Sequence, residues 1–157
     1  MDNINNLTKS HEKLLSLSKN KTEFIKQGKM EELSKLLMQE RKMLQEISQE
    51  ENKRQELVEQ TFQELNIVAN EKTANELIMH MENLAEKQRL ETAVTDLIQT
   101  IASLKKTEQL NQSLIQQSMQ FVQLSLEMLQ PETKNINYSK EQIKRDSVKQ
   151  TVFDSKV

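Results

Sequence analysis

Apolar residues recur along this chain in alternating steps of three and four. Ile4, Leu7, His11, Leu14, Ser18, Lys21 and Ile25 mark one stripe, widened by Leu15, Leu17 and Phe24. That period puts them on one face of a helix, polar members included. The stripe stops at Gly28, with Lys26 before it and Glu31 and Glu32 after it. Glycine accepts left-handed backbone at a helix end, lysine complements the carbonyl terminus, and acids suit the first turn of the next helix. Gly28 is therefore expected to be the corner of a helical hairpin.

A second pattern starts at Met30 and continues through Leu37, Leu44, Glu51, Val58 and Leu65 at a spacing of seven. Leu33, Glu40, Ile47, Arg54, Thr61 and Val68 lie three further on, and Leu36, Met43 and Leu57 form a row beside them. This is a heptad seam with a polar interruption at Glu51 and Arg54. A continuous helix from Met30 to Val68 would be about 58 Å long, so an elongated molecule is expected.

Thr73-Ala74-Asn75-Glu76 is a capping box that opens a short apolar segment, and Asn83-Leu84-Ala85-Glu86 is a second start signal. The last helix then carries Leu90, Val94, Leu97, Ile101 and Leu104, and later Ile115, Val122 and Leu129, with Leu114, Phe121 and Met128 as a flanking row. Glu108 and Asn111 interrupt this stripe, and antiparallel packing would set them opposite Glu51 and Arg54. Pro131 ends the pattern. The predicted fold is all-α: an elongated antiparallel helical bundle or coiled coil of three to four helices with a C-terminal tail. The helices are expected at about 2–27, 30–70, 74–82 and 84–130, within a body of residues 1–131. Residues 132–157 read as a flexible tail. Its Ser139-Lys140-Glu141-Gln142 pattern would let a short helix form on contact with a partner.

Composition narrows the function classes. One glycine and one proline in 157 residues cannot supply the turns of a mostly β or repeated βαβ fold. Basic and acidic residues nearly balance, 22 against 24, so nothing steers the chain to nucleic acid. No apolar run approaches a membrane span, and the first residues lack the basic and apolar regions of a leader, which points to a cytoplasmic protein with no membrane insertion. The lack of cysteine removes disulfides, thiolate nucleophiles and cysteine zinc sites together.

Catalytic and metal chemistry find little support. His11-Glu12-Lys13-Leu14-Leu15 begins like a zincin helix, but Leu15 stands where the second histidine belongs. Neither His11 nor His80 has a glutamate three residues earlier, as a di-iron bundle requires. One glycine builds no phosphate loop. No catalytic, cofactor-binding or metal-ligating residue is expected, and no cofactor. The methionines, Met38, Met43, Met79, Met81, Met119 and Met128 among them, are expected to fill gaps between helices; the sharper alternative is an adaptable binding surface.

Lys26-Gln27-Gly28-Lys29-Met30-Glu31-Glu32-Leu33, followed by Leu36-Leu37 and Glu40, resembles the hairpin of the FlgN-type flagellar export chaperones. Asn111-Gln112-Ser113-Leu114-Ile115, continuing into Phe121-Val122 and Leu126, is similar to that family's Asn-x-x-Leu-Leu stretch, and the isolated Tyr138 matches its tail tyrosine. Lys29 departs from the family, which often has an acid there, and no glycine follows Tyr138 closely. The resemblance implies a cytosolic chaperone of the flagellar type III export system. Such a protein binds the hook-associated proteins of the hook–filament junction, keeps them unassembled and delivers them to the export gate. Client binding is then expected at Leu114, Phe121, Val122 and Leu129 on the last helix and at Ile136, Ile143, Val148, Val152 and Phe153 in the tail. Tyr138 is expected to dock at the export gate; alternatively it packs the tail against the body. The rival reading is a structural coiled-coil adaptor with no export role.

Overall fold

A computed structural model describes residues 1–68 and 72–129. They form four helices and, among the described residues, no strand: α1 (Asp2–Gln27), α2 (Met30–Glu64), α3 (Ala74–His80) and α4 (Leu84–Leu129). The chain divides into two compact units, Met1–Leu114 and Ile115–Val157, and the described part of the second is the distal end of α4.

The corner between α1 and α2 follows from Gly28, whose φ of 66° and ψ of 25° are left-handed. The Gly28 amide donates to the Ile25 carbonyl at 3.2 Å and the Lys29 amide to the Phe24 carbonyl at 3.0 Å. Together these are the two bonds of a Schellman stop. A Cβ at Gly28 would meet nothing within 4 Å, so the demand is on the backbone alone. Gly28→Ala is accordingly expected to cost about 1 kcal/mol, with Gly28→Asn costing less; urea unfolding followed by circular dichroism measures both.

On α1 the buried residues are Ile4, Leu7, Leu14, Ser18, Lys21 and Thr22. The predicted stripe, with its polar members Ser18 and Lys21, is thus the packed face. On α2 the outcome differs. Met30, Leu37, Leu44 and Leu65 are about half exposed or more, whereas Leu36, Glu40 and Phe62 are buried and Leu33, Met43, Ile47 and Val58 half-buried. The packed face follows the row of Leu33, Glu40 and Ile47 with Leu36 and Met43, whereas the row begun by Met30 is half-buried at Glu51 and Val58 and exposed at its other positions. Two adjacent apolar rows satisfy a heptad equally well, and only the partner helix decides between them.

α2 also ends sooner than the heptad pattern suggests. Asn66 takes a left-handed φ of 53°. Its amide reaches the Gln63 carbonyl at 3.1 Å and the Ile67 amide reaches that of Phe62 at 3.0 Å. Asparagine here closes a second Schellman stop, since its short polar side chain tolerates this backbone region. Val68 is 99% exposed rather than part of a seam.

α3 and α4 start where their caps are written. The Glu76 amide donates to Thr73 Oγ1 at 3.2 Å. Asn83 Oδ1 accepts from the amides of Ala85 at 3.1 Å and Glu86 at 3.3 Å. These bonds satisfy amides that a helix start leaves without partners. α3 then folds its apolar side inward: Ile78 joins Ile4, Leu90 and Ala93 in a buried cluster, flanked by Leu77, Met81, Val94 and Leu97. Four of the six methionines expected to fill gaps (Met38, Met79, Met119 and Met128) are instead exposed.

Candidate functional site

Three features of the described residues bear on function: a polar layer inside the Met1–Leu114 unit, a cleft in the same unit, and an apolar row on distal α4.

The polar layer joins α1, α2 and α4. Lys21 Nζ donates to Glu40 Oε2 at 2.9 Å and to Glu108 Oε2 at 2.8 Å, and lies 2.9 Å from Glu40 Oε1. One turn along α4, Asn111 Nδ2 donates to the Ser18 carbonyl at 3.0 Å and to Ser18 Oγ at 3.2 Å. The Thr22 hydroxyl lies 2.6 Å from Asn111 Oδ1 and 3.1 Å from the Ser18 carbonyl. Ser18 and Asn111 are among the most buried residues of the chain. Glu108 and Asn111 therefore face α1 and Glu40, not Glu51 and Arg54 as antiparallel pairing suggested. Glu51 and Arg54 satisfy each other instead. Arg54 Nε and Nη2 donate to the two Glu51 carboxylate oxygens at 2.8 and 2.7 Å. A residue three positions away on the same helix is a nearer partner than any across the bundle.

Burial opposes the charge on Lys21, but the hydrogen bonds it donates to Glu108 and Glu40, with their negative charge, outweigh it and hold the amine above the usual lysine value. A lysine so held stays protonated and is no nucleophile. The hydrogen bonds from Arg54, working against partial burial, keep the Glu51 carboxyl below its usual range. Both groups are fixed as charges, which suits a structural layer rather than proton transfer. Among the described residues, no three His, Cys, Asp or Glu side chains are grouped to hold a metal ion. No described helix is long and apolar enough to cross a membrane.

The cleft, about 810 Å³, lies between the start of α1, the end of α2, α3 and the start of α4. Its lining includes Leu57, Val58, Ile67, Leu77 and Met81, with Arg54, His80, Glu82 and Glu86 among the polar groups. Heptad reading does not find it, because the early end of α2 and the turn into α3 create it.

On distal α4 the buried stripe runs out. Leu114 is half-buried, and beyond it Ile115, Met119, Phe121, Val122, Leu124, Leu126, Met128 and Leu129 are all exposed. Phe121 is 72% and Leu129 81% exposed. Exposed apolar residues this dense on one helix mark an interaction surface more often than a solvated one. Of the residues predicted to bind a client, Phe121, Val122 and Leu129 fall on this row and Leu114 at its inner edge. Ile136, Ile143, Val148, Val152 and Phe153, with Tyr138, lie outside the described residues.

Comparison with known proteins agrees with the pattern of the sequence. A family profile described as FlgN protein matches residues 1–145. The Bacillus subtilis (strain 168) protein described as "Uncharacterized protein YvyG" is 37% identical over 159 residues, covering 99% of this chain and 96% of its own. No solved structure matches the chain. With a hairpin turning at its lone glycine, an all-α fold and a family match over most of its length, the chain belongs to the FlgN family of flagellar export chaperones.

Proposed function

We propose that this chain is a cytosolic type III export chaperone that binds hook-associated proteins of the hook–filament junction, prevents their premature assembly and delivers them to the export gate. The observation that carries the reading is the exposed apolar row from Ile115 to Leu129 on α4. Such a row suits the amphipathic helix of a client, whose own apolar face needs cover until it assembles. Met119 and Met128 within the row can adapt to clients of different shape. The tail, residues 132–157, adds Ile136, Ile143, Val148, Val152 and Phe153 to the client contact, following a body that ends at residue 131. Tyr138 serves the export gate.

Stoichiometry tests this directly. Light scattering of the purified chain mixed with each hook-associated protein is expected to show a one-to-one complex with a monomeric client. A tight homodimer that ignores every client would support the structural adaptor instead. Tyr138→Ala is expected to leave client affinity in calorimetry unchanged while reducing client secretion; equal loss in both assays would make Tyr138 part of the client contact.

A further inference from the structure

The cleft of the Met1–Leu114 unit has an apolar floor and an acidic edge. Leu57 and Leu65, both in its lining, are 49% and 54% exposed, so the floor continues onto the surface instead of closing over. An enclosed cavity of this size would suit a small ligand; an apolar floor that runs outward suits a length of chain. The charges along it are unevenly satisfied. Arg54 is neutralised by its two bonds to Glu51. His80 Nδ1 is 2.9 Å from the Glu76 carbonyl and 3.9 Å from the Glu76 carboxylate. Glu82 and Glu86 line the cleft, and no described cation lies within ion-pair distance of either. Met1 also lines the cleft, and two acids outnumber the single charge its amino group carries.

We propose that this cleft is a second docking site, separate from the α4 row, for a short amphipathic segment of a partner protein whose apolar side chains lie beside a lysine or arginine. The apolar side chains cover Leu57, Val58 and Met81, and the cation settles against Glu82 and Glu86. The charge at the edge sets which segments are accepted, and the apolar floor supplies most of the affinity. The proposal does not depend on the client reading, because no cleft residue belongs to the α4 row or the tail.

The test uses the full chain and a labelled designed peptide with leucines at i, i+3, i+4 and i+7 and flanking lysines, beside a twin with glutamates for the lysines. Fluorescence anisotropy is expected to show the lysine peptide binding about fivefold or more tightly than its twin, roughly the discrimination of one or two exposed charge pairs. Glu82→Lys with Glu86→Lys should reverse that preference, and Leu57→Asp should abolish binding of both peptides. Leu57, Glu82 and Glu86 are all exposed, so thermal melts should stay near wild type. Absence of binding, or binding without charge preference, overturns the proposal. Displacement of the probe by a synthetic peptide of residues 132–157 would make the chain's own tail the occupant and overturns it too. So would a concentration-dependent dimer that Leu57→Asp disperses.

Discussion

Lys21→Met is expected to destabilise the protein by about 3–5 kcal/mol, because it leaves the Glu40 carboxylate buried without a cation. Little of that loss comes from Glu108, whose side chain is 42% exposed and can turn to water. Adding Glu40→Leu should recover most of the stability, since a buried ion pair exchanged for packed apolar groups is often close to neutral. Asn111→Ala should cost less, about 2–3 kcal/mol, through lost hydrogen bonds and the space it leaves beside Ser18. Urea unfolding of Lys21→Met, Glu40→Leu and the double variant completes the cycle, with Asn111→Ala measured beside them. If Lys21→Met costs under about 1 kcal/mol, the layer is wet and contributes little.

The same layer sets a pH dependence. The folded-state value of Lys21 is raised, so the native protein binds its proton more tightly than the unfolded chain does. Its contribution is therefore complete below the ordinary lysine value, near about 10.4, and is lost as pH rises through the higher folded value. Glu51 acts at the other end. Its folded value is lowered, so its contribution is present above the ordinary carboxylate range and fades as pH falls through the lowered value. Between these limits stability should depend only weakly on pH through either group.

How far the sequence specifies this molecule depends on which interaction fixes each part. The packed face of α1 was legible, Ser18 and Lys21 included and Thr22 missed, because its stripe is flanked by polar positions and leaves one possible face. The Gly28 corner was legible because glycine alone among neighbouring residues takes left-handed backbone without strain. α2 was not, since Leu36 and Leu37, or Met43 and Leu44, are equally apolar neighbours and only tertiary contact selects the inner member of each pair. Phe62, buried at the last turn of α2, lies one position past the predicted Thr61 because a straight helix drifts by about 20° per heptad against a strict seven-residue repeat. The partner of Glu108 and Asn111 is likewise a tertiary fact: the sequence shows two polar interruptions in apolar seams, whereas Ser18 and Lys21 read only as members of a stripe. On α4 the period of the apolar residues continues past Leu114 unchanged, and period alone does not distinguish a packed face from an exposed one.

That exposed continuation carries the largest functional effect. Phe121→Ala, Val122→Ala and Leu129→Ala together are expected to weaken client binding about a hundredfold or more. Each of these side chains is more than half exposed in the free protein, so covering them on a client helix is worth about 25 cal/mol per Å² of apolar area. A hundredfold corresponds to about 2.7 kcal/mol, a fraction of what three large side chains yield when buried. Because they lie outside the buried core, the triple variant should melt near wild type, which separates lost binding from lost structure. Within the tail, Val152→Ala with Phe153→Ala is expected to weaken the same affinity about tenfold, a smaller effect because ordering the segment offsets part of its burial. Calorimetry with a purified hook-associated protein reads both variants on one scale. If the triple variant binds as tightly as wild type while the tail variant fails, the tail is the capture element and the α4 row has another occupant. If both bind unchanged, the client sits elsewhere, and the apolar row on α4 is not the surface that holds it.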